Sequence, residues 1–169
     1  MIHLHTARFP EQLEVVRTIF REYAESLGID LGFQQFDDEL ASLPGKFAAP
    51  RGRVLLASNG AGDDAGGNVG GIVGCVAMRP IDETTCEMKR LYVRPAGRGL
   101  QVGRQLATLI CATAKQAGYR RMRLDTLPIM QAALGLYASL GFEPIDAYVF
   151  NPIPGAIFLE CDLTRQPSM

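Results

Sequence analysis

Neither sign of charge is in excess in this chain. Seventeen lysines and arginines against 18 aspartates and glutamates leave a net charge of -1 and a pI near 6.1, which removes the electrostatic footprint of a dedicated nucleic-acid binder. The four cysteines, Cys75, Cys86, Cys111 and Cys161, lie 11, 25 and 50 residues apart. They offer no close pair of the zinc-site kind and are too few for a disulfide scaffold, so they read as reduced, buried, small hydrophobes and no metal is expected. No run of about 18 apolar residues occurs, and Met1-Ile2-His3-Leu4-His5 lacks a basic stretch leading into an apolar one. The expectation is a cytoplasmic protein with no membrane partner. Glycine and proline together make 28 of 169 residues, below the roughly 25–30% of low-complexity chains.

What remains is an ordinary globular composition, 47% hydrophobic and 21% charged. Its length is close to the roughly 150 residues of one domain, here 1–169. Ile2-His3-Leu4-His5 alternates as a short strand with both histidines on its wet face. From Pro10, a first helical position, Leu13, Val16, Phe20, Tyr23 and Leu27 follow helical spacing to a stop at Gly28. A short second helix is expected near Phe36–Leu43. Strands follow at Arg53–Ala57, Val69–Met78 and Thr85–Val93, with the glycine-rich stretch Asn59–Asn68 as a flexible hairpin loop. Then come a helix to Gly118, a strand at Met122–Thr126, a helix at Met130–Leu140 and strands at Phe142–Val149 and Ala156–Leu163. This order implies an α/β fold of the α+β type: a mixed, mostly antiparallel central sheet flanked by helices.

The chemistry concentrates at Leu91-Tyr92-Val93-Arg94-Pro95-Ala96-Gly97-Arg98-Gly99-Leu100-Gln101-Val102-Gly103-Arg104, a strand, a glycine-bearing turn and a helix start. Such a junction aims unpaired backbone N–H groups and the positive end of a helix dipole at one spot, and Arg98 and Arg104 add cations there. A pyrophosphate is the natural multiply charged guest. A tight turn with solvated arginines is the plainer alternative.

Tyr92-Val93-Arg94-Pro95 and Arg98-Gly99-Leu100-Gln101-Val102-Gly103-Arg104, followed by Leu136-Tyr137-Ala138-Ser139-Leu140-Gly141-Phe142, resemble the GNAT superfamily of N-acetyltransferases. The resemblance implies acetyl-CoA as cosubstrate, with the amides of Gly99, Leu100, Gln101, Val102, Gly103 and Arg104 holding the pyrophosphate and Arg98 opening the motif. It implies that Thr85–Val93 splays from Met122–Thr126, so that pantetheine pairs with backbone at Leu91 and Val93, while an N–H near Val93 polarises the thioester carbonyl. An exposed strand edge suits such an amide-bearing ligand. Gln101 stands where the motif has its first glycine, and Met130 where the family often has asparagine.

By the same resemblance Tyr137 is the general acid for the leaving thiolate, and a core aromatic beside Phe142 otherwise. Glu87 is the leading base for a primary amine, with Asp125 and Glu160 weaker candidates of the same type. A free glutamate near pKa 4.3 is a poor base at neutral pH, so burial or a water relay is required. Period-two alternation places Glu87 on one strand face with Lys89, Leu91 and Val93, and an ion pair with Lys89 is the alternative role. Asp30, Asp37, Asp38 and Glu39 either attract a cationic amine or form a solvated face. Tyr148–Ala156 is an acceptor contact, a homodimer surface or a tight turn. The expected activity is transfer of an acetyl group from acetyl-CoA to the primary amine of a small-molecule acceptor. A silent acyl-CoA-binding sensor of the same fold is the alternative.

Overall fold

Along the second strand side chains alternate strictly: Leu55 and Ala57 join one buried cluster, Val54 and Leu56 the other, as a strand covered on both faces must. The computed structural model of the protein describes residues 1–32, 35–60 and 71–165. Its elements are β1 (Ile2–Thr6), α1 (Leu13–Leu27), α2 (Phe36–Ser42), β2 (Arg53–Asn59), β3 (Ile72–Pro80), β4 (Thr85–Val93), α3 (Val102–Gln116), β5 (Arg121–Thr126), α4 (Gln131–Ser139), β6 (Glu143–Pro144) and β7 (Ile157–Asp162). They form one mixed sheet in the order β1-β2-β3-β4-β5-β7-β6, antiparallel except where β4 meets β5. The glycine-rich hairpin loop lies mostly outside the described residues.

Val15, Val16, Ile19 and Phe20 of α1 cover one face with Leu40 of α2. Val102, Leu106, Ile110 and Ala114 of α3 cover the other with Tyr137 of α4. Pro10 precedes α1 by a turn instead of opening it; the side chain of Gln12 accepts the N–H of Arg8 at 2.9 Å. His3 is exposed, but His5 is half-buried, 3.3 Å from the amide of Gln12, so the two histidines do not share a simple wet face. The strand expected over Phe142–Val149 shrinks to β6. Beyond Ile145, whose N–H still reaches Phe158 O, the chain is drawn off the sheet edge: Tyr148 binds Glu87, and Asn151 binds Asp125.

Two irregularities in β4 set the stage for the site. Cys75 pairs with Tyr92 but Ala77 with Lys89, so one residue of β3 opposes two of β4, a bulge centred on Arg90, whose φ is 61°. The side-chain parity inverts there: Cys86 and Met88 face the α3 cluster before it, Leu91 and Val93 after it. Glu87 and Lys89 therefore face the opposite side from Leu91 and Val93, which corrects the shared face expected from simple alternation. Secondly, β4 pairs with β5 only through Thr85, Cys86 and Glu87, so the two strands part beyond Glu87.

The bulge is pinned by Arg90 itself. Its Nε and Nη2 donate to Glu39 Oε2 and Oε1 at 3.0 and 2.9 Å, its guanidinium stacks over Tyr23 and Phe36, and its carbonyl accepts from Cys75 Sγ at 3.1 Å. The Arg90 side chain is only 1% exposed, so neutralising Glu39 takes the bidentate ion pair away from a buried guanidinium. Glu39→Gln is expected to destabilise the protein by about 3 kcal/mol or more, read as a shift in denaturant midpoint; a loss under about 1 kcal/mol would show that Glu39 does not hold the bulge.

Candidate active site

The turn from β4 into α3 makes an open cradle. Gly99 has φ 81° and Gln101 φ 61°, so Gln101 caps α3 in a left-handed conformation that costs a non-glycine residue on the order of 1 kcal/mol. By helix geometry the N–H groups of Val102, Gly103 and Arg104 have no intrahelical acceptor. Val102 and Gly103 border a recess of about 260 Å³ lined also by Val93, Gly97, Arg98, Gly99 and Gln101. Arg98 is exposed and makes no ion pair among the described residues. Arg94, by contrast, is held by Glu22 and by Ile72 O. Leu100 and Arg104 are exposed beside the recess and do not line it.

From the cradle a groove of about 540 Å³ runs between Leu91, Tyr92 and Val93 on one wall and Met130, Gln131, Ala133 and Leu136 on the other. It shares Arg98 and Gly103 with the cradle. It shares Leu91 and Met130 with a narrow cleft of about 30 Å³ at the parting of β4 and β5. Tyr23, Lys89, Asp125 and Tyr137 line that cleft. Tyr137 is 6% exposed; burial, with Tyr23 and Asp125 nearby, pushes its phenol above the usual range. Its hydroxyl has no hydrogen-bond partner among the described residues. Tyr137 also packs on Phe142, ring centroids 5.6 Å apart, so one side chain fills the core position and reaches the cleft.

Lys89 and Asp125 continue through the cleft into a third pocket, of about 220 Å³, on the other face of the sheet. Gln35, Lys46, Arg79, Glu87, Val149 and Phe150 complete it. Glu87 is 3% exposed. Its Oε1 accepts from Arg79 Nε at 2.9 Å and its Oε2 from the Tyr148 hydroxyl at 2.7 Å. Burial acts to raise its pKa, but Lys89, Arg79 and the Tyr148 hydrogen bond prevail and hold the carboxyl below its ordinary 4.5. The upward shift that a direct base requires is thus reversed by its partners. Burial lowers Lys89 below its usual 10.5, against the charge of Glu87. Its Nζ lies 3.7 Å from Asp125 Oδ1, and Asn151 donates to Asp125 Oδ2 at 3.0 Å. Glu160 is paired with Arg121 and Arg123 and lines none of these spaces.

Sequence reasoning assembled the cradle, the groove wall and Tyr137, but missed Lys46, Arg79 and Tyr23. It read Lys89 only as a partner of Glu87. No motif marks these residues; only the proximity of α2 and the Tyr148–Asn151 segment to β4 reveals them. The acidic residues of α2 do not act as one patch: Glu39 is bound to Arg90, while Asp37 and Asp38 are exposed. None of the four cysteines forms a disulfide, and all four are buried. Among the described residues no group of three His, Cys, Asp or Glu side chains could hold a metal, and no helix is long and apolar enough to cross a membrane.

The acetyltransferase (GNAT) family model matches residues 13–142. An uncharacterised N-acetyltransferase of Schizosaccharomyces pombe is 36% identical over 165 residues, 97% of this chain and 96% of that one. Another, from Escherichia coli, is 31% identical over 137 residues, 81% of this chain and 77% of that one. A Staphylococcus aureus GNAT acetyltransferase structure superposes with a TM-score of 0.74 at 20% identity, covering 96% of this chain and 99% of its own. A Salmonella typhimurium acetyltransferase structure, described with its cofactor acetyl-CoA, superposes with a TM-score of 0.66 at 18% identity over 99% and 96% of the two chains. On its fold, its strand-turn-helix cradle and this family match, the chain belongs to the GNAT family of acetyltransferases.

Proposed function

We propose that the protein transfers an acetyl group from acetyl-CoA to a primary amine on a small molecule. The observation that carries this reading is the continuous path from the α3 cradle along the free edge of β4 to the cleft at Tyr137. The pyrophosphate lies on the amides from Gly99 to Arg104 with Arg98 beside it. Pantetheine runs along Leu91 and Val93, adding an extended strand-like partner to the unpaired edge, and a β4 N–H near Val93 polarises the thioester carbonyl. That the Salmonella relative is described with acetyl-CoA supports the same donor here.

The amine enters from the Glu87 side. Its nitrogen attacks the thioester carbonyl carbon; a C–N bond forms, the C–S bond breaks, and coenzyme A leaves as a thiolate that takes the Tyr137 proton. The nitrogen releases a proton through water held at ionised Glu87 to solvent, from which Tyr137 is reprotonated. Tyr137 keeps its proton until that step because burial holds its pKa above the working range.

In a calorimetric titration with acetyl-CoA, Arg98→Ala is expected to weaken binding about tenfold. An unchanged affinity would remove the cradle from the donor site. Tyr137→Phe is expected to lower kcat by roughly 10²–10⁴ while acetyl-CoA still binds; undiminished turnover would exclude Tyr137 as the acid, and its absence already in the unmodified protein would favour a silent sensor.

Glu87 gives a pH prediction. Its folded pKa lies below the ordinary 4.5, so the stability that it contributes is present above that value and lost as pH falls through the lowered one. Acidification below about pH 4.5 should cost the unmodified protein more stability than Glu87→Gln, measured by denaturant unfolding at several pH values. Equal slopes would show that the Arg79 and Tyr148 contacts do not depress this carboxyl.

A further inference from the structure

We infer that the acceptor amine also carries a carboxylate, as an amino acid does, and that Lys46 reads that anion at the mouth of the pocket behind Glu87. This rests on the acetyltransfer reading above, since it assigns the second substrate of the same site.

Three cations, Lys46, Arg79 and Lys89, and two carboxylates, Glu87 and Asp125, line the pocket. Both carboxylates are engaged by the protein: Glu87 by Arg79 and Tyr148, Asp125 by Lys89 and Asn151. Asp38 and Glu39 line a neighbouring recess that shares Gln35, Lys46 and Arg79 with this pocket. Glu39 is bound to Arg90 and lies 3.8 Å from Arg79 Nη1, which leaves Asp38, among the described residues, as the unpaired carboxylate on that side. A polycation entering here meets one surplus positive charge and carboxylates already occupied. Lys46 is exposed at the rim and makes no ion pair among the described residues, so it can meet an incoming anion without breaking a native contact.

The rest of the pocket agrees in size and polarity. Its volume of about 220 Å³ falls below the roughly 300–1,000 Å³ typical of drug-sized ligands, which suits a single small molecule. Val149 and Phe150, 40% and 74% exposed, supply an apolar rim for a side chain. The inner end shares Lys89 and Asp125 with the cleft that holds Tyr137. A molecule with its carboxylate at Lys46 and its amine directed inward is thus oriented for attack. Two-point recognition of this kind rejects an analogue lacking one of the two groups far better than apolar contact does.

The test measures coenzyme A release with two matched pairs, L-phenylalanine against L-phenylalaninamide and L-methionine against L-methioninamide, with spermidine as the polycation and a parallel acetyl-CoA titration. The amides keep the side chain and lose the anion; because their amine is also less basic, kcat/KM is compared for the unprotonated amine, taken from pH profiles of each pair. The free acids are expected to show a kcat/KM about tenfold or more above their amides, the scale of one charge-assisted hydrogen bond. Lys46→Glu should abolish that ratio through KM, and Lys46→Gln should lower it. Amides or spermidine turned over as well as the acids, a ratio that survives Lys46→Glu, or a protein that binds acetyl-CoA yet acetylates none of the panel would each overturn the inference. Failure to bind acetyl-CoA would instead overturn the donor reading itself.

Discussion

The site depends on one constrained residue, Arg90. Its left-handed backbone puts an extra residue into β4, and that residue alone turns a strand with one reading into a strand with two. Before it, Glu87 and Lys89 face the pocket closed by α2 and the Tyr148–Asn151 segment; after it, Leu91 and Val93 face the groove beside α4. An arginine in this conformation is unfavourable by itself. It persists because the bidentate pair with Glu39, the rings of Tyr23 and Phe36 and the thiol of Cys75 all hold it. The same bulge belongs with the early end of the β4–β5 ladder at Glu87, without which no cleft would join the two faces.

Electrostatics in this nearly neutral protein is local. Around the bulge the buried charges are matched, Arg90 with Glu39, Arg79 with Glu87 and more distantly Glu39, and Lys89 with Asp125. Among the described residues, the cations without ion-pair partners near these spaces stand at the two outer ends: Arg98, with Arg104 beside it, at the proposed donor cradle, and Lys46 at the proposed acceptor mouth. Charge is thus neutralised where groups are buried and left available at the two openings proposed for the substrates.

Much of the fold was legible in the sequence because its signals are local. The period of α1 and α3, the glycine stops at Gly28 and Gly118 and the long run Thr85–Val93 placed most elements within a few residues. The Gly99–Arg104 turn and Tyr137 were legible for the same reason, as short motifs on consecutive elements. What failed was non-local. Alternation through β4 gave the wrong face for Leu91 and Val93, because no residue type announces a bulge at an arginine. The expected strand over Phe142–Val149 ended at Pro144, because Tyr148 and Asn151 find their partners on β4 and β5, far off in sequence. The downward shift of Glu87 and the pocket around Lys46 likewise follow from contacts between distant segments.

In the proposed reaction acetyl-CoA occupies the face of β4 beyond the bulge and reaches Tyr137 from there. Amide-resolved hydrogen exchange of the whole protein, with and without acetyl-CoA, tests it most directly. Added protection is expected at Leu91–Val93 and at residues 99–104, with little change at Lys46 and α2. Protection centred on α2 and the Tyr148–Asn151 segment, or none anywhere at saturating acetyl-CoA, would contradict it.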